Sequence, residues 1–253
     1  MKQNIYIIMS DQHAAAALGA WGNHDVKTPN LDKLAGDSFN FPNTYCPAPI
    51  CGPSRFAFLT GRHVHRCGAY DNGSSVPYDP PSLGHLMTND GYRSVLCGRM
   101  HIHGPDQLVG FEERPEIGWI NPIHAPAAAM VPRGSFVEKP IETVRGEDYN
   151  HFEVDPNPLI SIDDHTIDKA CLVAAEKRTD DPRPLFMVVG LYGPHPSVRA
   201  RKEYLDFIEM YDKMDLKVNE FTLEQLTREH PYHREFIHFG EKAIPDRERN
   251  RRP

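Results

Sequence analysis

Apolar residues come along this chain in short unbroken runs more often than in alternation. Residues 4–9 and 184–191 are two such runs, and residues 92–97 form a third segment of strand character. A short continuous apolar run is the pattern of a parallel strand covered on both faces. Between the runs the spacing becomes helical. Thr28-Pro29 supplies an N-cap and a first helical position for a short helix through Leu31, Leu34 and Ala35, closed by Gly36. Residues 51–61 and 82–90 read as two further helices, the first stopped by Gly61 and the second followed by Gly91. Ile162, Ile167, Ala170, Cys171 and Ala174 mark a helix over 162–178, and Tyr204, Phe207, Ile208 and Tyr211 mark another over 201–212. A short strand is expected around Phe39. Strand, loop and helix in alternation predict an α/β fold, a mostly parallel sheet flanked by helices.

Residues 121–158 break this rhythm. They are rich in Pro, Ala and charge without clear periodicity, and read as a long excursion or lid over a site within one domain spanning 1–253. No internal repeat is visible. Beyond residue 212 the chain is polar and ends in a basic stretch.

Composition narrows the function classes. A formal charge of −7, with no basic stripe carrying interleaved aromatics, argues against a nucleic-acid partner. The apolar start is cut off by Asp11 before it reaches the length of a signal segment, and no run approaches a membrane span of ~18 residues. A cytoplasmic protein without a membrane partner is therefore expected. Five Cys, an odd count with no paired ligand spacing, indicate neither a disulfide framework nor a zinc ribbon. The 14 His and 23 Pro point instead to acid–base or metal chemistry on many ordered loops.

The chemistry gathers at Cys51-Gly52-Pro53-Ser54-Arg55, followed by Thr60-Gly61-Arg62. A thiol at the mouth of a helix meets unpaired N–H groups and a partial positive charge suited to an oxyanion. Arg55 adds a planar, always-charged fork for the same anion. The same spacing also fits a structural Cys on an ordinary helix. Asp11 and Gln12 follow the first strand directly, at the carboxyl end where open α/β sheets bind ligands. His101 closes Gly98-Arg99-Met100-His101, and His195 stands in Pro194-His195-Pro196 after the last apolar run. His101 and His103 form a His-x-His pair, but no third ligand stands at a zinc spacing. Asp163-Asp164-His165 reads as the acidic opening of a helix, where carboxylates favour the macrodipole.

The Cys51 segment resembles the signature of type I sulfatases of the alkaline-phosphatase-like superfamily. Asn4 to Arg114 looks most like bacterial choline sulfatases, through Ser10-Asp11-Gln12, Lys27-Thr28-Pro29-Asn30-Leu31-Asp32, Gly68-Ala69-Tyr70-Asp71-Asn72 and Gly104-Pro105-Asp106-Gln107-Leu108. A weaker resemblance resumes around Leu191 to Tyr211. The resemblance implies that Cys51 is oxidised to formylglycine by a formylglycine-generating enzyme, in a modification that depends on Pro53 and Arg55. One hydroxyl of its hydrate would attack sulfur, and the other would later expel sulfate.

It further implies calcium or magnesium bound by Asp11, Gln12 and the modified Cys51. Arg55 would bridge nucleophile and sulfate, His101 would hydrogen-bond either, Arg99 would bind the sulfate, and His195 would bind it from the leaving-group side as a catalytic residue. Position 99 departs from the family's usual Lys, and Arg cannot donate a proton to the leaving group.

The resemblance also sets what to expect missing. Calcium takes about 6–8 oxygens, and the family's second ligand pair, on a later strand, does not occur in this sequence. The chain is thus expected to be an incomplete, N-terminal sulfatase half, with an open sheet edge that favours self-association. The implied activity is hydrolysis of choline sulfate or a similar small sulfate ester. Trp119 and Tyr70 are the candidates for holding a quaternary ammonium. A phosphate or phosphonate monoester hydrolase of the same superfamily, and a catalytically inactive fragment, are the alternatives.

Overall fold

The computed structural model describes residues 2–72, 74, 81–102, 106–116, 153–154, 159–176, 179–195 and 199–200. Two compact units divide the chain, one of residues 1–135 with 161–195 and one of 136–160 with 196–253. The excursion expected over 121–158 lies outside the described residues except for 153–154, and the helix expected over 201–212 lies outside them entirely.

In the first unit four strands form one parallel sheet. They are β1 (Ile5–Met9), β2 (Arg93–Gly98), β3 (Glu113–Glu116) and, after the two-residue β4 (Glu153–Val154), β5 (Leu185–Gly190), in the order β1-β5-β2-β3. In the second unit β4 pairs in parallel with β6 (Arg199–Ala200).

The helices are α1 (Pro29–Gly36), α2 (Cys51–Thr60), α3 (Val64–Cys67), α4 (Leu83–Asn89) and α5 (Leu159–Ala175). Gly61 ends α2 in the left-handed conformation expected of it, at φ 64°.

Period-2 alternation explains how β2 and β5 are buried on both faces. Phe186 and Val188 of β5, with Leu96 of β2, join Phe56, Leu59, Met100, Ile102 and Phe111 in one core. Leu185, Met187 and Val189, with Val95 and Cys97, turn to the other face and meet Ala170 of α5. Both strands are buried at every position.

Two expectations need correction, and one strand forms without an apolar signal. The first apolar run forms β1 but is not buried, because β1 is an edge of the described sheet. Ile7 and Met9 pack inward, whereas Ile8 is 71% exposed and Ile5 and Tyr6 are also exposed. No strand forms at Phe39, which is 94% exposed in irregular chain. Polar Glu113–Glu116 does form a strand. Arg93, buried in β2, grips Glu113 through Nε and Nη2 at 2.7 and 2.9 Å, so an ion pair helps hold this edge where apolar burial does not. Pro115 suits an edge position.

Register aligns the strand ends. Met9 and Gly98 both pair with Gly190, so β1, β5 and β2 stop at one level and their following loops share one end of the sheet. Gly190 has no room for a side chain there. A Cβ would collide with the Arg99 carbonyl and lie 3.2 Å from Arg55 Nη1. Gly190→Ala is therefore expected to lower stability by about 1–3 kcal/mol, read as a reduced urea midpoint at unchanged slope.

Candidate functional site

Each candidate side chain reaches this end by a short path. Asp11 lies two residues past β1, with its N–H bonded to the Gly193 carbonyl at 3.1 Å. Arg99 follows β2 directly and donates its N–H to the Gly190 carbonyl at 2.7 Å. Arg55 stands one turn into α2, beneath Cys51.

These residues form one buried charge cluster. Asp11 Oδ2 lies 3.0 Å from Arg55 Nη2 and 3.0 Å from Arg99 Nε. None of the three side chains is more than 7% exposed. Arg55 Nη1 also donates to the Arg99 carbonyl at 2.6 Å and approaches Met100 Sδ at 3.4 Å. Burial pushes the Arg55 guanidinium below its ordinary value; Asp11 opposes that fall and Arg99 adds to it. Two guanidiniums against one carboxylate leave a net positive charge held away from water. Buried charge of this kind calls for a partner anion.

Cys51, the first residue of α2 and half-buried, lies next to that charge. Its Sγ is 3.2 Å from His101 Nδ1, 3.3 Å from Asn72 Oδ1 and 3.7 Å from Arg99 Nη2. Arg99 Nη2 also lies 3.4 Å from His101 Nδ1. His101 holds a left-handed backbone at φ 56°, as does Gln12 at φ 58°. Such conformations cost non-glycine residues about 1–3 kcal/mol and persist where the surroundings over-determine them.

The structure thus brings Asp11, Cys51, Arg55, Arg99 and His101 into contact. Gln12 is exposed beside Asp11. His195 follows β5 and joins the group through Tyr192. Its ring lies 5.0 Å from the Tyr192 ring, which in turn lies 4.6 Å from the Arg99 guanidinium carbon. His103 and Trp119 lie outside the described residues.

The helix mouth differs from its expectation. The Gly52 N–H is taken by Asn72 Oδ1 at 2.9 Å, Pro53 has none, and the Ser54 N–H returns to the Ile50 carbonyl at 3.0 Å. The guanidiniums, more than the α2 backbone, are left to meet an anion.

Sequence reasoning missed three supporting residues. Asn72 caps α2 from a separate loop. Tyr192 is the platform under Arg99. The sequence pattern makes Asp163 a helix-opening acid, but α5 starts at Leu159 and places it in the second turn. There its carboxylate accepts the N–H groups of Tyr192 and Gly193 at 2.6 and 2.8 Å, fastening the turn that carries His195. Of the three, only Asn72 had a sequence signal, since it ends Gly68-Ala69-Tyr70-Asp71-Asn72.

Comparison with known proteins follows the same outline. A family model described as Sulfatase matches residues 3–215. A choline-sulfatase of Rhizobium meliloti (strain 1021) is 29% identical over 235 residues, covering 88% of this chain and 44% of the relative. An arylsulfatase of Clostridium perfringens is 37% identical over 113 residues, covering 44% of this chain and 23% of the relative. The chain therefore spans less than half the length of either. Among solved structures, a phosphonate monoester hydrolase from Silicibacter pomeroyi superposes with a TM-score of 0.62 at 23% identity. That match covers 92% of this chain and 49% of the other, and shows a shared fold.

Asn72→Ala is expected to cost about 1 kcal/mol, as for loss of a helix cap. Asp163→Ala, which strands two N–H groups, is expected to cost about 1–3 kcal/mol. Asp163→Asn keeps one acceptor oxygen and should fall between Asp163→Ala and wild type in chemical denaturation.

Proposed function

The chain belongs to the sulfatase family, and from that membership we propose that it is a sulfuric-ester hydrolase acting on a small sulfate ester through a formylglycine made from Cys51. The observation that carries this reading is the net positive charge buried beside Cys51 by Arg55, Arg99 and Asp11. A sulfate monoester bears one negative charge, whereas a phosphate monoester bears about −1.5 to −2 near neutral pH. The single excess positive charge matches the sulfate ester better.

Formation of the aldehyde removes the thiol sulfur and two hydrogens of Cys51 and adds one oxygen, with the oxidant brought by a formylglycine-generating enzyme. The hydrated aldehyde supplies the attacking hydroxyl. Arg55 and Arg99 neutralise the sulfate oxygens as charge builds on them. His101, 3.2 Å from Cys51 Sγ, holds the nucleophile in line. His195 gives the leaving oxygen its proton, a task Arg99 cannot perform because a guanidinium does not deprotonate. Choline sulfate is the favoured substrate within this class. Tyr70, 59% exposed and two residues before the Asn72 cap, is the described residue suited to face its ammonium.

The family also implies calcium or magnesium at Asp11, Gln12 and Cys51. The described residues do not fit that ion on their own. Asp11 Oδ2 is engaged by two guanidiniums, and among the described residues no cluster of three or more His, Cys, Asp or Glu stands ready to hold a metal. A shell of about 6–8 oxygens is far from filled, and no catalytic step is derived through the ion. The substituted Arg99 and this small donor set favour, as a second reading, a chain that binds its anion without turning it over. Hydrolysis of phosphate or phosphonate monoesters draws support from the fold shared with the phosphonate monoester hydrolase.

Self-association is proposed through β1, an edge of the described sheet that exposes Ile5, Tyr6 and Ile8. Light scattering should show concentration-dependent oligomers, and Ile8→Lys should shift them toward monomer. A monodisperse wild-type monomer refutes the proposal.

For the chemistry, the peptide carrying Cys51, from chain coexpressed with a formylglycine-generating enzyme, should be lighter than its thiol form by about 18 Da. The modified chain should hydrolyse nitrophenyl sulfate faster than nitrophenyl phosphate, and Cys51→Ala should cost about 10³-fold or more. Modified chain that turns over neither ester supports the binding-only reading, and faster phosphate turnover supports the alternative hydrolase.

A further inference from the structure

We propose that the Arg99 guanidinium takes the electrostatic place of the divalent cation, so that this chain binds a tetrahedral oxyanion at Cys51 without metal. The inference rests on the sulfatase reading for the class of anion, and on the Arg99 side chain for everything else.

Two of the three residues implied as cation ligands are Asp11 and Cys51. Arg99 spans them. Its Nε lies 3.0 Å from Asp11 Oδ2, and its Nη2 lies 3.7 Å from Cys51 Sγ and 3.4 Å from His101 Nδ1. A fixed positive charge thus already bridges the carboxylate and the nucleophile position. A further divalent ion drawn to Asp11 would meet both Arg99 and Arg55 at the same oxygen and be repelled by each.

Arg99 is also held as a resident ion would be. Its N–H is bonded to the Gly190 carbonyl and its own carbonyl accepts from Arg55 Nη1, while the Tyr192 ring covers its guanidinium. Only 3% of the residue is exposed. Rigidity of this kind lets charge act at full strength, since no reorganisation precedes binding.

The guanidinium is under-used in this state. Among the described residues the buried Nη1 has no hydrogen-bond acceptor, and the 3.0 Å contact of Nε with Asp11 lacks hydrogen-bond geometry. Buried donors without acceptors are rare and costly, by about 1–3 kcal/mol each. An oxyanion at the Cys51 end would supply the missing charge and spare lone pairs. Lys at this position could not do the same, because one ammonium cannot present a planar fork to a carboxylate and an anion together.

The test is calorimetric titration of the full unmodified chain with sodium sulfate at constant ionic strength, in EDTA, in calcium chloride and in magnesium chloride. Wild type is expected to bind sulfate with affinities agreeing within about twofold across the three buffers, since no metal step is involved. Arg99→Lys, checked for folding by thermal melting, is expected to bind about tenfold or more weakly in EDTA and to regain affinity with calcium, because one of the two guanidiniums on Asp11 is then gone. Wild-type binding that strengthens tenfold or more with calcium overturns the inference and leaves the sulfatase reading standing. So does Arg99→Lys binding like wild type in EDTA. Absence of saturable sulfate binding in every buffer overturns the oxyanion site itself, whatever the formylglycine and turnover measurements return.

Discussion

The structure turns on one carboxylate shared by two guanidiniums. Asp11, Arg55 and Arg99 come from three different elements and meet at distances of 3.0 Å with almost no exposure. An isolated charge in such a place would be prohibitive, and a matched pair would be neutral and inert. Two against one is neither. It keeps each arginine oriented while leaving a net attraction for an anion. Cys51 is set at the edge of that attraction.

The scaffold exists to hold those three charges in register. β1, β5 and β2 end at one level because Met9, Gly190 and Gly98 are paired across the sheet. The middle strand ends in glycine because the Arg99 carbonyl and Arg55 press against it. Around the cluster, polar contacts fix the loops that packing alone would leave loose. Asp163 fastens the turn after β5, and Asn72 fastens the mouth of α2. The site is built at the carboxyl ends of parallel strands, where βα connections converge and backbone groups are left to be satisfied by loops.

On one side the described sheet ends in an edge strand. β1 leads into the acidic residue of the cluster, yet it exposes Ile5, Tyr6 and Ile8 on the described edge of the sheet. The matched relatives are more than twice as long as the part of them that this chain spans. In this chain the positive charge of the site is held by its own side chains, and the contact with Asp11 belongs to arginine.

Read as a string of residues, the chain determined the strands of the sheet centre and the Cys51 helix with its Gly61 stop, and its resemblance to a sulfatase signature brought Cys51, Arg55, Asp11, Arg99 and His101 together as candidates for one site. The strands and the helix follow from local signals, unbroken apolar runs and helix punctuation, while the grouping follows from the resemblance. Tertiary structure decided the rest. An apolar run does not say whether its strand is central or at an edge, so β1 looked buried and is not. A polar strand such as β3 has no apolar pattern to announce it, because Arg93 and not hydrophobic burial grips it. Asp163 reads as an acid at the opening of a helix, but the start of α5 at Leu159 places it one turn deeper, within reach of two backbone N–H groups 29 and 30 residues away. Most of all, pairing one Asp with two Arg is a through-space fact. Sequence names the three charges, but only the folded distances decide that the carboxylate is already spoken for.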